Sequence, residues 1–138
     1  MQTTRVTLLE EMHFLGELDG FDIHIDADEN VGGKNKGPRP KGLSLTSLAG
    51  CTAMDVISIL RKMKVEPDEF YVDAAAELTD QHPKVFKKIF LTYYLKGKDI
   101  PLKKVKKAVD LSQVRYCGVT AMLEKTAEIT YEIVIEEE

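Results

Sequence analysis

Residues 47–60, SLAGCTAMDVISIL, lie at the centre of the stretch that decides how this chain folds. From Leu43 to about Lys64 the pattern is helical, with apolar residues on nearly every face. The residues that carry the helical period are Leu45, Ala49, Ala53, Val56, Ile57 and Leu60. The sequence therefore predicts one long helix that other parts of the protein must cover on nearly all sides.

Length and composition indicate an ordinary globular protein. The chain has 138 residues, of which 43% are hydrophobic and 30% charged, and its net charge is −4. This length is near the commonest size of one domain, so we expect a single domain over 1–138. No apolar run approaches the ~20 residues of a membrane span. The first residues, MQTTRVTLLEEMHF, lack the features of a secretory signal. We expect a cytoplasmic protein with no membrane partner.

Lysines crowd residues 96–107, but they do not predict a nucleic-acid site. Four of them alternate with apolar residues in the pattern of an amphipathic helix. The lysines are Lys103, Lys104, Lys106 and Lys107, and the apolar residues are Leu102, Val105, Ala108 and Val109. A solvated basic face is favoured over a polyanion-binding patch. We expect no nucleic-acid partner.

The remaining patterns predict short strands and helices in the order ββαββααβ. The expected elements are strands over 3–9 and 21–26 joined by a turn at 18–20, a loop over 27–42, a hairpin over 70–78 and 85–97, helices from Pro101 to about Asp110 and over about 116–127, and a strand over 128–136. This order favours an antiparallel α+β fold over a wound parallel sheet.

The cysteines and histidines do not predict a metal centre or a disulfide framework. The two cysteines are far apart in the chain, match no zinc-ligand spacing, and are either inert core residues or redox groups. The three histidines, His13, His24 and His82, are scattered over strand and loop positions. We expect neither a metal nor a cofactor.

A polar stripe runs along the otherwise apolar long helix. Ser47, Cys51, Asp55 and Ser58 are three or four residues apart and so share one helical face. Such a stripe is costly to bury unless its groups bond one another or line a small pocket. One interpretation is a buried thiol with Asp55 paired to a basic side chain across a subunit interface, and the other is a reactive site.

Local electrostatics favour Cys117 over Cys51 as a thiolate. Cys117 lies near the predicted start of the last helix, two residues after Arg115, and both features lower a thiol pKa. Cys51 lies two turns inside its helix, where an ionised Asp55 would disfavour a thiolate. A cation such as Arg39, Lys41 or an arginine of a partner chain would reverse that order.

Two cysteine motifs carry a family resemblance. The segment GPRPKGLSLTSLAGCTAMDVISIL, followed far downstream by AVDLSQVRYCGVTAMLEKTAEITYEI, resembles the OsmC/Ohr family of osmotically inducible and organic hydroperoxide resistance proteins. The resemblance implies an intertwined α+β homodimer with antiparallel sheets, long central helices at the dimer core and active sites at the subunit interface. It further implies that Cys51 attacks an organic hydroperoxide, becomes a sulfenic acid and forms a disulfide with Cys117. A thiol or, in some members, a lipoyl group then restores the enzyme.

The chain departs from the family pattern before the long helix. Peroxidases of the family carry a glutamate in an NPEE-type segment, whereas this chain has Lys41 and Gly42 there. The family's activating arginine has no counterpart by motif, so Arg39 is a candidate only by its nearness to the helix, and Asp55 is the carboxylate that could replace the glutamate. The expected function is a cytosolic thiol-dependent peroxidase. The alternatives are a protein that binds a small acyl or thiol metabolite between its subunits and a structural protein with inert cysteines.

Overall fold

A computed structural model describes residues 1–138, which divide into two compact units, Met1–Ser44 and Leu45–Glu138. The first unit holds an antiparallel three-stranded sheet in the order β1-β2-β3. Its strands are β1 (Arg5–Glu10), β2 (His13–Leu18) and β3 (Phe21–Ile25), and a short 3₁₀ turn follows at Glu29–Val31. The expected strands over 3–9 and 21–26 are therefore present.

The middle strand, β2, is absent from the sequence-based prediction. The turn before it uses Glu11, which adopts a positive φ of 49° without the glycine or asparagine that signals a tight turn. Its own sequence, HFLGEL, does not alternate cleanly. Gly16 lies in the interior of this strand. A Cβ at this position would come within 3.2 Å of the Ile23 carbonyl oxygen on β3, so a side chain there would crowd the neighbouring strand. A strand with an atypical turn and an interior glycine gives little sequence signal.

The loop predicted over 27–42 is organised by one buried carboxylate. Asp26 accepts backbone N–H bonds from Ala27 at 2.7 Å, Lys34 at 3.3 Å and Lys36 at 3.1 Å. Burial tends to raise the pKa of Asp26, but the three N–H donors outweigh it and hold that pKa below its ordinary value. A Cβ at Gly33 would lie 1.9 Å from the Ala27 carbonyl oxygen, so only glycine fits this crossing. The loop is thus folded around Asp26.

The long helix, α1, spans Pro40–Lys62 and starts three residues before the expected Leu43. Proline suits the first turn of a helix, where no N–H bond is lost. By length and composition alone this 23-residue helix could cross a membrane, a test that the core helix of a soluble protein also passes. Its fully buried Thr52 and half-buried Asp55 bond to groups of this same chain, as described below. The expectation of an unusually apolar helix is confirmed.

The second unit contains the sheet β4-β5-β6. The strands are β4 (Glu69–Leu78), β5 (Phe86–Gly97) and β6 (Glu128–Glu137), and β4 and β5 form the expected antiparallel pair. The expectation of purely antiparallel sheets is wrong for the last pair, because β6 runs parallel to β5. The helical segment between β5 and β6 returns the chain to the end of the sheet at which β5 begins. Two parallel strands require such a connection.

Helices α2 (Leu102–Leu111) and α3 (Gly118–Leu123) lie at the positions of the two helices that the sequence predicts. Between them, Ser112–Tyr116 forms a π-helical turn, in which the Cys117 N–H donates to the Ser112 carbonyl at 2.7 Å. The last helix is therefore shorter than the predicted 116–127.

The core of the second unit joins α1, β5 and α2. Its fully buried side chains are Leu48, Val56, Leu60, Ile89, Tyr93, Leu95, Val105, Ala108 and Val109. Alternate residues of β5 from Ile89 to Leu95 are fully buried, which agrees with its central place in the sheet. The α+β class is confirmed.

Candidate functional site

Two thiols and one carboxylate come together in the second unit. The Sγ atoms of Cys51 and Cys117 and a carboxylate oxygen of Asp55 all lie within 4.8 Å of one another. Helix α1 supplies Cys51 and Asp55, which are one turn apart on one face. Cys117 comes from the other end of the unit, at the junction of the π turn and α3. Three of the four site residues expected from the sequence are thus close together.

Cys117 caps the N-terminus of α3. Its sulfur accepts a bond from the Thr120 N–H at 3.4 Å, and its side chain is buried, with 3% of its surface exposed. The expected position at a helix start is confirmed. Cys51 is half-buried and is the more accessible of the two thiols.

Burial raises the pKa of the Cys51 thiol above its ordinary value of 9.0. The thiol of Cys117, which shares a hydrogen bond with Cys51, and the charge of Asp55 raise this pKa further. The Val119 N–H, which bonds to the Cys51 sulfur, offsets part of the rise. The expectation that Asp55 disfavours a thiolate at Cys51 agrees with the direction of this pKa shift.

An ordered chain of hydrogen bonds ends at Asp55. Ser112 donates to the Asp55 carboxylate at 2.9 Å, so the single hydroxyl proton of Ser112 is used there. Thr52, at 2.7 Å, must therefore donate to Ser112, and Tyr93, at 2.7 Å, must donate to Thr52. Gln113 Nε2 completes the series by donating to the Tyr93 oxygen at 2.7 Å. All the donors point toward the carboxylate, which stabilises its negative charge.

The π turn supplies Ser112 and Gln113 to this hydrogen-bond chain. One wider turn places both side chains against α1 and β5 before the chain turns into α3, and such turns frequently occur at functional sites. Sequence analysis missed Ser112, Thr52, Gln113 and Tyr93 as part of the site. The available signal was Tyr93, a hydroxyl within the run of inward-facing residues on β5, because a buried tyrosine usually needs a hydrogen-bond partner.

The predicted polar stripe is only partly correct. Cys51 and Asp55 face the site, whereas Ser47 and Ser58 are exposed. Thr52, which is fully buried, is the third polar residue that α1 contributes. The polar face of α1 therefore contains fewer residues than the sequence spacing predicts. Its third member is Thr52, the residue after Cys51, rather than Ser47 or Ser58.

Arg39, the fourth expected site residue, belongs to the first unit. Its Nη1 donates to the Gly37 carbonyl at 2.8 Å, and its Nη2 lies 3.7 Å from the Asp28 carboxylate. Its suggested role beside Cys51 stays a prediction.

Each unit carries one apolar depression large enough for a small molecule. A cavity of about 350 Å³ in the first unit is lined by Met12, Phe14, Ile25, Val31, Arg39 and neighbouring loop residues. A groove of about 500 Å³ in the second unit is lined by Lys103, Lys106, Lys107, Asp110, Leu111, Val114 and Arg115.

Comparison with known proteins identifies the family. The model of the family described as "OsmC-like protein" matches residues 33–132. The chain belongs to the OsmC-like family. It is 37% identical over 133 residues to Protein YhfA of Escherichia coli strain K12, across 94% of this chain and 96% of YhfA. The resemblance drawn from the two cysteine motifs is thereby confirmed.

Solved structures confirm the OsmC-like fold. A hypothetical protein from Aquifex aeolicus has a TM-score of 0.88 and 26% identity, with 100% of this chain and 98% of that one covered. A protein from Legionella pneumophila described as an organic hydroperoxide resistance protein has a TM-score of 0.71 and 12% identity, with 97% and 96% covered. At that identity, the second likeness concerns the fold alone.

The two thiols of this OsmC-like chain are both free and lie close to each other. Their Sγ atoms are within 4.8 Å, whereas a disulfide joins two sulfurs at about 2.05 Å. The site therefore combines a half-exposed thiol, a buried thiol and a carboxylate held by a directed hydrogen-bond chain.

Proposed function

We propose that this protein is a thiol-dependent peroxidase that reduces organic hydroperoxides. The observation that carries the proposal is the pair of thiols within 4.8 Å of each other beside a hydrogen-bonded carboxylate. The Cys51 thiol loses its proton, and its sulfur attacks the distal oxygen of the peroxide as the O–O bond breaks. The leaving alkoxide takes up a proton, so the products are a sulfenic acid on Cys51 and an alcohol. The Cys117 thiol then displaces water and forms the disulfide. Two external thiols, or one dithiol of the lipoyl class, reduce this disulfide.

Accessibility supports Cys51 as the attacking residue. A peroxide must reach the sulfur, and Cys51 is half-buried whereas Cys117 is 3% exposed. Cys117 suits the resolving step because the N–H of Thr120 stabilises negative charge on its sulfur. Asp55 is proposed to accept a hydrogen bond from the hydroperoxide O–H and orient it, which requires the carboxylate that Ser112 holds. Arg39 is proposed as the cation that lowers the Cys51 pKa in the assembled protein.

The description of one protein with the same fold agrees with the proposal. The Legionella pneumophila protein with this fold is described as an organic hydroperoxide resistance protein. The resemblance to the family further implies a homodimer with interfacial active sites, which we propose for this chain, together with a cytoplasmic location.

The proposal is tested by treating the reduced protein with one equivalent of cumene hydroperoxide. We expect loss of both thiols, an intrachain disulfide in the mass spectrum and one equivalent of cumyl alcohol. In Cys117→Ser the product should instead be a sulfenic acid on Cys51, trapped with dimedone. In Cys51→Ser the peroxide should persist.

Two controls separate this reaction from nonspecific oxidation. Hydrogen peroxide at the same concentration should react more slowly if an alkyl group contributes to binding. The protein denatured in urea should lose the preference for organic peroxide. Oxidation of Cys117 before Cys51 would reverse the assigned roles, and persistence of both thiols would contradict the peroxidase.

A second function is favoured by the raised pKa of Cys51. A protonated thiol next to a carboxylate suits binding of a small acyl or thiol metabolite better than attack on a peroxide. Lys41 and Gly42, in place of the family glutamate, agree with this alternative. Binding of acyl thioesters by the reduced protein, without turnover of cumene hydroperoxide, would identify it.

A further inference from the structure

We propose that Cys51, Cys117 and Asp55 form a binding site for a thiophilic divalent cation of the zinc class. Cysteine sulfur and carboxylate oxygen are both ligand types that bind such ions. The inference does not depend on the proposed peroxidase, because it concerns the reduced thiols without any peroxide.

The geometry is close to that of a three-ligand site. Around a tetrahedral zinc ion with Zn–S bonds of ~2.3 Å, neighbouring ligand atoms lie about 3.5–3.8 Å apart. The three donor atoms here already lie within 4.8 Å of one another. A movement of each donor atom by about half an ångström would bring the three atoms to this separation. Sequence spacing does not reveal the site, because the two cysteines come from distant segments.

Charge also favours a cation at this point. The Asp55 carboxylate oxygen lies within 4.8 Å of both cysteine sulfurs, so its negative charge attracts a cation placed among the three atoms. When a divalent cation of this class binds, both thiols give up their protons, and all three ligands then carry charge opposite to that of the ion. Binding therefore releases two thiol protons for each ion.

The surroundings resemble the support that ligands receive in metal sites. Ser112 donates to the Asp55 carboxylate at 2.9 Å, and the N–H of Thr120 donates to the Cys117 sulfur at 3.4 Å. Such outer contacts orient ligands and strengthen binding. The Thr120 hydroxyl is buried without a hydrogen-bond partner, and Thr120 is 1% exposed. Such an unpaired buried hydroxyl, in the residue whose backbone N–H contacts Cys117, is a polar group that lacks a partner in the isolated chain.

Binding is tested with Co²⁺ and Zn²⁺ added to the reduced full-length protein under anaerobic conditions. We expect one ion per chain and the thiolate-to-cobalt charge-transfer absorption of tetrahedral Co²⁺. Zn²⁺ should displace the cobalt and abolish the colour. In weakly buffered solution, Zn²⁺ binding should release two protons per ion. Absence of the charge-transfer band or of the two protons would overturn the proposal.

Variants assign the ligands. Cys51→Ser and Cys117→Ser should each lose the charge-transfer spectrum. Asp55→Asn, and Ser112→Ala, which frees the carboxylate, should each weaken Zn²⁺ binding on the order of tenfold. Asp73→Asn, an exposed carboxylate on β4, is the matched control and should bind as the unmodified protein does. Circular dichroism confirms that each variant is folded before titration.

A competing site would lie on the first sheet, where His13 Nε2 and His24 Nδ1 are 2.8 Å apart. Binding that His24→Ala abolishes and Cys51→Ser preserves would contradict the proposal. Protection of both cysteines from iodoacetamide by Zn²⁺, unchanged in His24→Ala, would support it.

Discussion

Under the proposed function, Asp55 is expected to have opposite effects on two reactions of Cys51. Its charge raises the pKa of the thiol, after the larger effects of burial and Cys117, and so disfavours every reaction that needs only a thiolate. A hydroperoxide also brings an O–H group, and the proposed function gives Asp55 the role of its acceptor. We therefore expect the same carboxylate to slow a simple alkylating reagent and to assist a peroxide.

Asp55→Asn is predicted to change the two rates in opposite directions. In a Cys117→Ser background, alkylation of Cys51 by iodoacetamide at pH 8 should become about two- to tenfold faster, because the pKa of Cys51 falls. Consumption of cumene hydroperoxide should become slower on the order of tenfold, or ~1.4 kcal/mol of barrier, because the acceptor is lost. Both rates are measured on one preparation by mass spectrometry.

Ser58→Ala, an exposed change on the same helix, is the control and should leave both rates unaltered. Faster reaction with both reagents would remove Asp55 from the catalytic site. Slower reaction with both would indicate that Asp55 holds a cation near the thiol, as the sequence-based interpretation suggests.

For individual residues of the site, the sequence predicts only the neighbours that helical spacing places on one face. Cys51 and Asp55 share a face because they are four residues apart. The approach of Cys117 to that face was available only from the family resemblance, since no local rule joins residues so distant in the chain. Ser112 was missed because a serine after an amphipathic helix is ordinarily a cap or a solvent-exposed residue.

The π turn between α2 and α3 is the element that joins the site to the core. Its Ser112 and Gln113 contact Thr52 of α1 and Tyr93 of β5, so one turn connects a helix and a strand. Thr52 lies in the middle of the directed hydrogen-bond chain and is fully buried. Without the Thr52 hydroxyl, Tyr93 would lose the acceptor of its hydrogen bond and Ser112 would lose its donor.

Thr52→Val is predicted to lower the free energy of unfolding by about 1–3 kcal/mol, because shape is kept while buried polar groups lose a partner. Urea unfolding followed by circular dichroism measures the change. Thr130→Val on β6, where the side chain is exposed, is the matched control and should change stability by less than about 0.5 kcal/mol. Equal stability of the two variants would show that the hydrogen-bond chain contributes nothing to the fold.

Sequence patterns predict most elements but not the direction of the last strand. The hairpin of β4 and β5 follows from a short turn between two alternating runs. The parallel pairing of β6 depends on where the connection through α2 and α3 leads the chain, and the π turn within that connection has no sequence signature. A π turn adds one residue to a single helical turn, and the hydrophobic periodicity of the sequence does not reveal this addition.

For the molecule as a whole, α1 leaves apolar surface that this chain does not cover. Met54 is 73% exposed near the middle of the helix, next to buried Val56. The expected dimer would cover this face. The dimer and the single domain over 1–138 both stay predictions.

Protein concentration is predicted to affect stability if the dimer is obligate. The unfolding midpoint should rise with concentration, and analytical ultracentrifugation should give twice the chain mass of 15.5 kDa. Met54→Glu should shift the equilibrium toward monomer, because a charge would replace an apolar contact.

Thr130→Glu, on the exposed side of β6, is the control and should stay dimeric. A well-folded monomer of the unmodified protein at micromolar concentration would contradict the obligate dimer.

The two neighbours of β5 arrive at very different points along the chain. β4 joins it through a short turn that pairs Leu78 with Phe86, whereas β6 joins it through a pairing of Lys88 with Glu128. Local contacts form sooner than distant ones, so during folding the hairpin exists first with one edge of β5 unpaired. That edge is rich in apolar residues and can pair with another unfinished chain. The yield of refolding should therefore fall as the chain concentration rises, even though the proposed dimer needs a second copy of the chain.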